Sequence, residues 1–423
     1  MNDTVVKLFP TSLHGSISAI SSKSVAHRAI IAAALSDQPS TLYNVLLSDD
    51  IKATLNAVKK LGTSIKIKDS SIYIKPKKKR FLKAKTIDCN ESGSTLRFLI
   101  PVTSLYDKTI TLTGRQSLLN RPMTLYEDVF NKSDSTLTIA DNKIVVNGSI
   151  KPGEYILKGN VSSQFFTGLM LTLPLLDGDS TLIVEGPLES KSYIDLTIDV
   201  LKSFNITIKE RENRYYIKGN QQYKGNQYTV EGDFSQAAFF FVAGAINGGI
   251  SIHNLNINSV QGDKAIIDFL TQMNAQPIVT DNGYTITKKS TLGTTIDISN
   301  CPDLAPILSL LGSVSEGTTK LINAHRLKIK ESDRIYSTVS TLKALGADIT
   351  NDDESITIKG KKHLEGGVTV DSFNDHRIAM MVAIATTVCK NPVTLTNAKA
   401  VNKSYPSFFE DYKRLGGIIE IKE

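Results

Sequence analysis

The stretch Ser22-Lys23-Ser24-Val25-Ala26-His27-Arg28, which continues into Ala29-Ile30-Ile31-Ala32-Ala33-Ala34-Leu35, sets the pattern of the chain. It joins a polar, cationic opening to a run that is apolar on every side, and a helix without a polar face is buried. The start of a helix offers free N–H groups and the positive end of a dipole, so this opening favours an anion such as phosphate. Taken alone, the stretch fits an ordinary capped core helix equally well.

The same design returns five times along the chain. Its further openings lie at Ser92–Arg97, Ser162–Gln164, Asp233–Gln236, Pro302–Ala305 and Asp375–Arg377. Counted from Ser24 through Ser94, Ser163, Ser235 and Asp303 to His376, the steps are 70, 69, 72, 68 and 73 residues. Self-similarity at a fixed period indicates a repeat architecture. We therefore predict an α/β fold with six copies of a βαβαββ unit, three in each of two domains.

The two ends of the chain predict how the domains are connected. The last unit finishes on a single strand, Gly417–Ile421, without a hairpin partner in the sequence. We therefore expect the strand within residues 1–13 to complete the C-terminal domain. The domains are predicted as residues 14–228 and as residues 1–13 with 229–423. Two linkers between domains make a hinge, so we expect a cleft that can close on a ligand, with the active site in it.

Composition narrows the class of partner. The chain has 49 Lys and Arg against 42 Asp and Glu, a formal net charge of +7, which suits anionic partners. Aromatic residues are few and no nucleic-acid signature is present, so nucleic acid is not expected as a partner, and the basic run 75–80 is interpreted as a solvated loop. Three scattered cysteines indicate reduced thiols. The N-terminus lacks the apolar centre of a signal peptide and no segment is long enough to span a membrane, so we expect a cytoplasmic protein without membrane association.

The helix openings and nearby loops carry many cations. If they meet in one cleft, the cations tolerate one another only with anions between them. The cations are Lys23, Arg28, Arg121, Lys330, Arg334, Arg377 and Lys403. Asp303 and Glu331 could move protons among them, with His376 as the nearest histidine, whereas Asp49, Asp50 and Asp263 are interpreted as helix caps. No Walker loop and no dinucleotide fingerprint occurs, so we expect phosphate ligands other than nucleotides, without a metal cage.

Several motifs resemble the 5-enolpyruvylshikimate-3-phosphate synthase family, in order, from about residue 20 to the end. They are Lys23-Ser24 with Arg28, Gly159–Phe165, Lys330–Arg334, Asn374–Arg377 and Lys403–Pro406. The resemblance implies two inside-out α/β barrels of three units each. It implies transfer of the enolpyruvyl group of phosphoenolpyruvate to the 5-hydroxyl of shikimate 3-phosphate through a tetrahedral intermediate, with release of phosphate and without cofactor or metal. This step leads towards chorismate and the aromatic amino acids. Glyphosate is the implied inhibitor, and we expect a monomer.

The resemblance also implies roles for individual residues. Those implied for shikimate 3-phosphate are Lys23, Ser24, Arg28, Ser162, Ser163, Gln164, Ser190, Tyr193, Asp303, Arg326 and Lys330. Those implied for phosphoenolpyruvate are Lys23, Gly93, Arg121, Gln164, Arg334, His376, Arg377 and Lys403. The implied catalytic residues are Asp303, as the base towards the 5-hydroxyl, Glu331, as the proton donor to the methylene carbon, and Lys23.

The chain departs from the family pattern at two positions. Glu91 stands where the family commonly has Asn, next to an expected anion site, and we interpret it as pointing away. Arg326 replaces a smaller residue, which weakens its implied role. Two alternatives are weighed. A UDP-N-acetylglucosamine enolpyruvyl transferase would carry a reactive Cys in the loop Gly114–Arg121, which has none. A protein like RNA 3′-phosphate cyclase would need an adenylylation histidine motif and a basic, aromatic track.

Overall fold

The computed structural model describes residues 4–77, 82–106, 108–133, 135–140 and 142–422. Half of the basic run at 75–80, namely Lys78–Arg80, lies outside these residues, so its interpretation as a loop stays a prediction. Contacts divide the chain into two compact units. We call Ser21–Glu231 the N-terminal unit, and Met1–Ile20 with Gly232–Glu423 the C-terminal unit.

Helices recur in pairs along the chain, one pair in each repeat, with the short helix α4 added in the second. They are α1 Lys23–Leu35, α2 Asp49–Lys60, α3 Gly93–Thr103, α4 Gln116–Leu119, α5 Leu125–Asn131, α6 Ser163–Thr172, α7 Lys191–Ser203, α8 Phe234–Ile246, α9 Ile266–Gln272, α10 Ala305–Val314, α11 Arg334–Ala344, α12 His376–Thr386 and α13 Phe408–Arg414. Short 3₁₀ segments lie at Leu173–Leu175, Gly262–Ala265, Pro302–Leu304, His325–Ile329 and Ala398–Lys403.

The strands are short, as expected for small sheets. In the first half of the chain they are β1 Val5–Phe9, β2 Gly15–Ser18, β3 Ser40–Tyr43, β4 Ser64–Lys68, β5 Ser71–Lys75, β6 Thr86–Asp88, β7 Ile110–Thr113, β8 Thr136–Ala140, β9 Lys143–Asn147, β10 Glu154–Lys158, β11 Ser180–Glu185, β12 Ile208–Arg211, β13 Arg214–Ile217 and β14 Gln227–Thr229. In the second half they are β15 Ile250–His253, β16 Pro277–Thr280, β17 Gly283–Ile286, β18 Thr295–Asp297, β19 Thr318–Ile322, β20 Asp348–Asn351, β21 Ser355–Lys359, β22 Leu364–Gly366, β23 Thr369–Asp371, β24 Cys389–Asn391, β25 Val393–Thr396 and β26 Ile418–Lys422.

Six four-stranded sheets follow one plan: a parallel pair, then two antiparallel strands. Those of the N-terminal unit run β14-β3-β5-β4, β6-β7-β9-β8 and β10-β11-β13-β12. Those of the C-terminal unit run β2-β15-β17-β16, β18-β19-β21-β20 and β23-β25-β1-β26, and the pair β22-β24 is added. The predicted α/β fold of six repeats, three in each unit, is confirmed.

The N-terminal strand β1 completes the last sheet, as the unpaired end of the sequence predicts. Its residue Val6 lies opposite Leu395 of β25 on one side and Ile421 of β26 on the other. Both pairings are antiparallel, so β1 takes the place of the second hairpin strand in the sixth repeat.

The predicted domain boundaries at residues 14 and 228 are wrong by a few residues. Strand β2 precedes α1 in the sequence but pairs in parallel with β15 of the C-terminal unit. Strand β14 precedes α8 but pairs in parallel with β3 of the N-terminal unit. Each strand therefore belongs to the sheet of the unit before the crossing, and the chain passes between units at Ile20–Ser21 and Glu231–Gly232.

The first helix of each repeat lies in the core of its unit. Every residue of α8 and α12 is buried, because both helices are apolar on all faces. Helices α8, α10 and α12 pack on one another, and α3 packs on α6 and α1, while strands such as β15, β19 and β25 cover them. The sheets thus surround the helices, which is the inside-out arrangement that the resemblance implies.

Local chemistry explains where the helices begin and end. Side-chain oxygens of Ser22, Ser92 and Ser162 accept hydrogen bonds from backbone N–H groups in the first turns of α1, α3 and α6. Gly62 and Gly346 follow the second helices of their repeats with φ of +100° and +99°, a conformation that glycine adopts without strain. Within the described part of the chain, no helix has both the length and the apolar character needed to cross a membrane.

Candidate active site

The cationic opening of α1 is held by α2 and α7. Lys23 Nζ donates to Asp50 Oδ2 at 2.8 Å. The interpretation of Asp50 as a helix cap is wrong, because Ser48 caps α2 and Asp50 pairs with Lys23 instead. Ser24 contributes its backbone carbonyl, which accepts from Arg28 Nη1 at 2.7 Å.

Arg28 is a buried cation whose partners are all neutral. Nε donates to Thr197 Oγ1 at 2.8 Å, and Nη2 donates to the Tyr193 carbonyl at 3.1 Å and to Thr167 Oγ1 at 3.3 Å. The guanidinium also lies 5.1 Å from the ring centre of Phe98. Burial lowers the pKa of Arg28 to about 10, and no carboxylate of the described residues pairs with it. A buried, uncompensated positive charge favours an anionic ligand.

A second group of residues joins α3 to α6. Gln164 Nε2 donates to Ser94 Oγ at 3.0 Å, and its Oε1 accepts from Arg97 Nη1 at 2.8 Å. A Cβ atom at Gly93 would lie 2.9 Å from Arg121 Nη1, so a larger residue would displace this guanidinium. The Nε of Arg121 is buried, and it has no hydrogen-bond partner among the residues that the structure describes.

Four further predicted residues lie at helix starts of the N-terminal unit. Ser162 caps α6, and Ser163 is the first residue of that helix. Ser190 precedes α7 in the left-handed conformation, with φ of +56°, and is buried. Tyr193 follows in the first turn of α7, where its carbonyl joins it to Arg28. Glu91 is half-buried, and its predicted orientation stays a prediction.

A chain of hydrogen bonds connects α1, α2 and α3 behind these residues. Thr95 Oγ1 donates to Ser92 Oγ at 2.7 Å and lies 2.6 Å from Thr54 Oγ1, which in turn lies 2.7 Å from His27 Nδ1. Because Thr95 donates to Ser92, Thr54 donates to Thr95 and His27 Nδ1 carries a proton. Burial, with Lys23 and Arg28 nearby, lowers the pKa of His27 well below its usual value. The imidazole is therefore neutral.

In the C-terminal unit, Asp303 is surrounded by cations. Its carboxylate accepts from Arg334 Nη1 at 2.6 Å and from Arg377 Nη2 at 3.1 Å, and Lys330 Nζ lies at 3.4 Å. Burial raises the pKa of Asp303, but Arg377, Lys330 and Arg334 outweigh burial and hold it well below the usual value. Asp303 is therefore ionised, and it becomes a better base only when an anion draws these cations away.

Arg334 and Arg377 differ in how fully the protein engages them. Arg334 donates from Nε to Asp375 Oδ2 at 2.7 Å and from Nη1 to Asp303. Only 3% of its side chain is exposed. Arg377 donates from Nη1 to the Asp303 carbonyl at 3.1 Å and from Nη2 to Ser235 Oγ at 2.7 Å. Its Nε is buried, without a hydrogen-bond partner in the described part of the chain, so Arg377 keeps a donor for a ligand.

Glu331 and His376 form a pair beside this network. His376 Nδ1 lies 2.8 Å from Glu331 Oε2, and Arg334 Nη2 lies 3.9 Å from the same oxygen. Candidate metal-ligand atoms of Glu331, Asp375 and His376 lie within 4.8 Å of one another. The guanidinium of Arg334 already takes the place of a cation between the two carboxylates, so these donors fit a proton-transfer pair better than a metal centre.

The remaining predicted residues lie near Lys330 and Asp375. Burial lowers the pKa of Lys330 to about 8; Asp303 opposes this shift, and the cation of Arg326 in the 3₁₀ segment His325–Ile329 adds to it. Lys403 Nζ donates to the carbonyl of Asn374 at 2.6 Å. Since Asn374 comes directly before the cap Asp375, Lys403 steadies the start of α12.

Five residues that lie among or beside the predicted site residues of the two units were not predicted to take part in the site. They are Asp50, Arg97, Ser235, Asp263 and Asp375. Arg97, Ser235 and Asp375 stand inside helix openings that the repeat identifies, which is the signal that could have found them. Asp50 lies in the first turn of α2 and Asp263 in the 3₁₀ segment just before α9, positions at which an acidic residue is easily interpreted as a helix cap.

The α/β fold, with buried cations in both units and a carboxylate–imidazole pair in the C-terminal unit, indicates a class: an enzyme that acts on small anionic substrates. A sequence model of the family described as EPSP synthase (3-phosphoshikimate 1-carboxyvinyltransferase) matches residues 9–412. The chain is 50% identical over 430 residues to the 3-phosphoshikimate 1-carboxyvinyltransferase of Clostridium novyi, covering 98% of each chain. It is similar in structure to the EPSP synthase of Acinetobacter baumannii, with a TM-score of 0.84 and 26% identity over 99% of this chain and 100% of that one. The chain therefore belongs to the EPSP synthase family.

Proposed function

We propose that this chain transfers the enolpyruvyl group of phosphoenolpyruvate to the 5-hydroxyl of shikimate 3-phosphate, with release of phosphate, and that the two groups of residues divide the work. Family membership makes the chain a 3-phosphoshikimate 1-carboxyvinyltransferase of the shikimate pathway. The alternatives, a UDP-N-acetylglucosamine enolpyruvyl transferase and a protein like RNA 3′-phosphate cyclase, are not favoured.

Shikimate 3-phosphate is assigned mainly to the N-terminal unit. The observation behind this assignment is Arg28, a buried guanidinium with neutral partners only. The residues assigned with it are Lys23, Ser24, Ser162, Ser163, Gln164, Ser190 and Tyr193, which lie at the starts of α1, α6 and α7. Asp303, Arg326 and Lys330 of the C-terminal unit are assigned to the same substrate. That a single site draws on both units stays a prediction.

Phosphoenolpyruvate is assigned to cations that keep a donor for an anion. Arg121 and Arg377 each have a buried Nε without a hydrogen-bond partner among the described residues. Gly93 leaves the space that Arg121 occupies, and Lys23, Gln164, Arg334, His376 and Lys403 complete the assigned set. Arg334 is the weakest member, because Asp303 and Asp375 already engage it.

The observation that carries the proposed mechanism is Asp303, a carboxylate within 3.4 Å of three cations. When the phosphate and carboxylate of phosphoenolpyruvate draw these cations away, the basicity of Asp303 rises and it can accept the proton of the 5-hydroxyl. Glu331, which contacts His376, gives a proton to the methylene carbon, and the hydroxyl oxygen bonds to the adjacent carbon. The resulting tetrahedral ketal then loses phosphate while the methyl carbon returns a proton, which restores the double bond. Lys23 stabilises the charge on the transferring group.

Three further properties belong to the proposal. Glyphosate, an anion, competes with phosphoenolpyruvate for the Arg121 and Arg377 group. The chain acts as a monomer. It acts in the cytoplasm, where both substrates would be made.

Phosphate release tests the proposal directly. Purified protein should release phosphate only when shikimate 3-phosphate and phosphoenolpyruvate are both present, and Lys23→Met should abolish the release. Lys191→Met is the matched control, because Lys191 pairs with Asp195 and Glu210 at a half-exposed position on α7. Phosphate release with UDP-N-acetylglucosamine in place of shikimate 3-phosphate would overturn the proposal.

A further inference from the structure

Asp263 is a buried carboxyl group that the proposed mechanism does not use. It lies in the 3₁₀ segment Gly262–Ala265 of the C-terminal unit, with 3% of its surface exposed. Its interpretation as a helix cap is wrong, because Gln261 occupies the cap position and no side chain caps this segment. Burying a carboxyl group is costly without a partner, so its surroundings decide its role.

Ser235 connects Asp263 to Arg377. The hydroxyl of Ser235 hydrogen-bonds with the carboxyl of Asp263, and its oxygen accepts from Arg377 Nη2 at 2.7 Å. A guanidinium can only donate, so the single proton of Ser235 is free to point to Asp263 when that carboxyl is ionised. The same Nη2 lies 3.1 Å from Asp303 Oδ2. Asp303 therefore contacts the guanidinium of Arg377 directly, and Asp263 contacts it through the hydroxyl of Ser235.

The charges around Asp263 are unbalanced. Asp303 and Asp233 face it with negative charge, Arg377 faces it with positive charge, and the buried thiol of Cys301 lies nearby. On its own segment, Lys264 donates instead to the backbone carbonyl of Ile257. Burial first, and Asp303 second, raise the pKa of Asp263 to about 6. The Asp263 carboxyl therefore gains or loses its proton at a pH close to neutral.

We infer that Asp263 is a positioning residue for Arg377 and that it takes up a proton when an anion binds beside that guanidinium. An anion close to Arg377 repels the negative charge on Asp263 and so favours its neutral form. The uptake removes one competitor for the positive charge of Arg377, while Ser235 keeps the guanidinium in place. The inference rests on the proposed function only in taking this anion to be phosphoenolpyruvate.

The test compares the pH dependence of KM for phosphoenolpyruvate in the unmodified protein and in Asp263→Asn. The variant keeps the size and a hydrogen-bond acceptor but stays neutral. The ratio of the two KM values cancels the titration of the substrate phosphate. The KM of the unmodified protein divided by the KM of the variant should be close to one near pH 5. Near pH 7.5 this ratio should rise to about five, because the variant then has the lower KM; this is the order of effect of one partly screened unit charge. KM for shikimate 3-phosphate should stay unchanged.

Two further variants separate charge from position. Ser235→Ala should raise KM for phosphoenolpyruvate at every pH, because Arg377 loses an acceptor while the charge of Asp263 remains. Asp268→Asn is the matched control, since Asp268 is exposed on α9 in the same unit and should leave the KM ratio at one. A constant ratio for Asp263→Asn, or the same change in Asp268→Asn, would overturn the inference.

A measurement on the unmodified protein covers the case in which Asp263→Asn does not fold. Sulfate keeps its charge between pH 5 and 7.5, so its inhibition constant against phosphoenolpyruvate, at saturating shikimate 3-phosphate, reports on the protein alone. The constant should rise severalfold across this range with a midpoint near pH 6, and a constant value would contradict proton uptake. No turnover at all in the unmodified protein would instead refute the proposed function.

Discussion

One buried arginine in each unit shows the contrast between an uncompensated and a compensated positive charge. In the N-terminal unit, Arg28 is held by hydroxyl and carbonyl oxygens, so its positive charge is uncompensated. In the C-terminal unit, Arg334 lies between Asp303 and Asp375, so the charges cancel within the protein. An uncompensated cation supplies affinity for an anion. A compensated cluster changes its proton affinities when an anion enters, which is what acid–base chemistry needs.

The largest effect is expected from removing the carboxylate at the centre of the compensated cluster. Asp303→Asn keeps the shape but not the base, so kcat should fall about 10³-fold, within the range of a general base. Asp348→Asn, at an exposed position on β20, is the control and should keep full activity. A loss of less than about tenfold in steady-state phosphate release would assign the proton transfer to another group.

Replacing one arginine in each unit should separate the two kinds of site. Arg334→Met removes the arginine that pairs with Asp375 and one of the three cations around Asp303, and it should lower the free energy of unfolding by about 3 kcal/mol or more. Arg28→Met leaves no carboxylate without a cation, so the N-terminal unit should remain folded. KM for shikimate 3-phosphate should rise about a hundredfold. Denaturant unfolding and initial rates check both results. Equal destabilisation by the two variants would remove the distinction between the units.

Mild acid should affect the stability of the two units with opposite sign. Burial lowers the pKa of His27 well below 6.5, so below that pH the unfolded N-terminal unit binds a proton that the folded unit does not. Its stability should then fall by up to about 1.4 kcal/mol for each pH unit below 6.5. The pKa of Asp263 is raised to about 6, so the folded C-terminal unit holds an extra proton and gains stability as the pH falls from 6.

Amide hydrogen exchange can measure this difference in the pH dependence of stability between the two units. After correction for the intrinsic rate, exchange in α1 should be faster at pH 5 than at pH 7, while exchange in α8 should not. His27→Gln should remove the effect in α1, and His363→Gln, at an exposed position, should not. Slower exchange in α1 at pH 5 would show that the neutral imidazole does not control this unit.

The smallest effect is expected at the glycine beside Arg121. In Gly93→Ala the new methyl group would lie 2.9 Å from Nη1, so the flexible guanidinium moves aside by a few tenths of an ångström. KM for phosphoenolpyruvate should rise about tenfold, equivalent to about 1.4 kcal/mol, with KM for shikimate 3-phosphate unchanged. Gly249→Ala, where a Cβ atom meets nothing within 4 Å, is the control. An unchanged KM for both substrates would place Arg121 away from the anion.

The sequence predicts the repeats better than it predicts the contacts between them. A period near 70 residues is visible because each repeat needs the same buried helix and the same capped start, and the sixth repeat visibly lacks a strand. The domain boundaries were missed because β2 and β14 pair with the unit that precedes the crossing, which no local pattern records. The link from Asp263 through Ser235 to Arg377 was missed because it joins three segments far apart in sequence, and side-chain packing alone brings them together.

The pairing of β1 has a consequence for synthesis of the chain. Val6 is synthesised well before its partners Leu395 and Ile421, which lie in the last repeat. Domains fold as units from the N-terminus during translation, so Ser21–Glu231 can fold while the rest is still being made. Strand β1 must therefore remain unpaired until β25 and β26 have been synthesised, and the last sheet of the C-terminal unit forms only then.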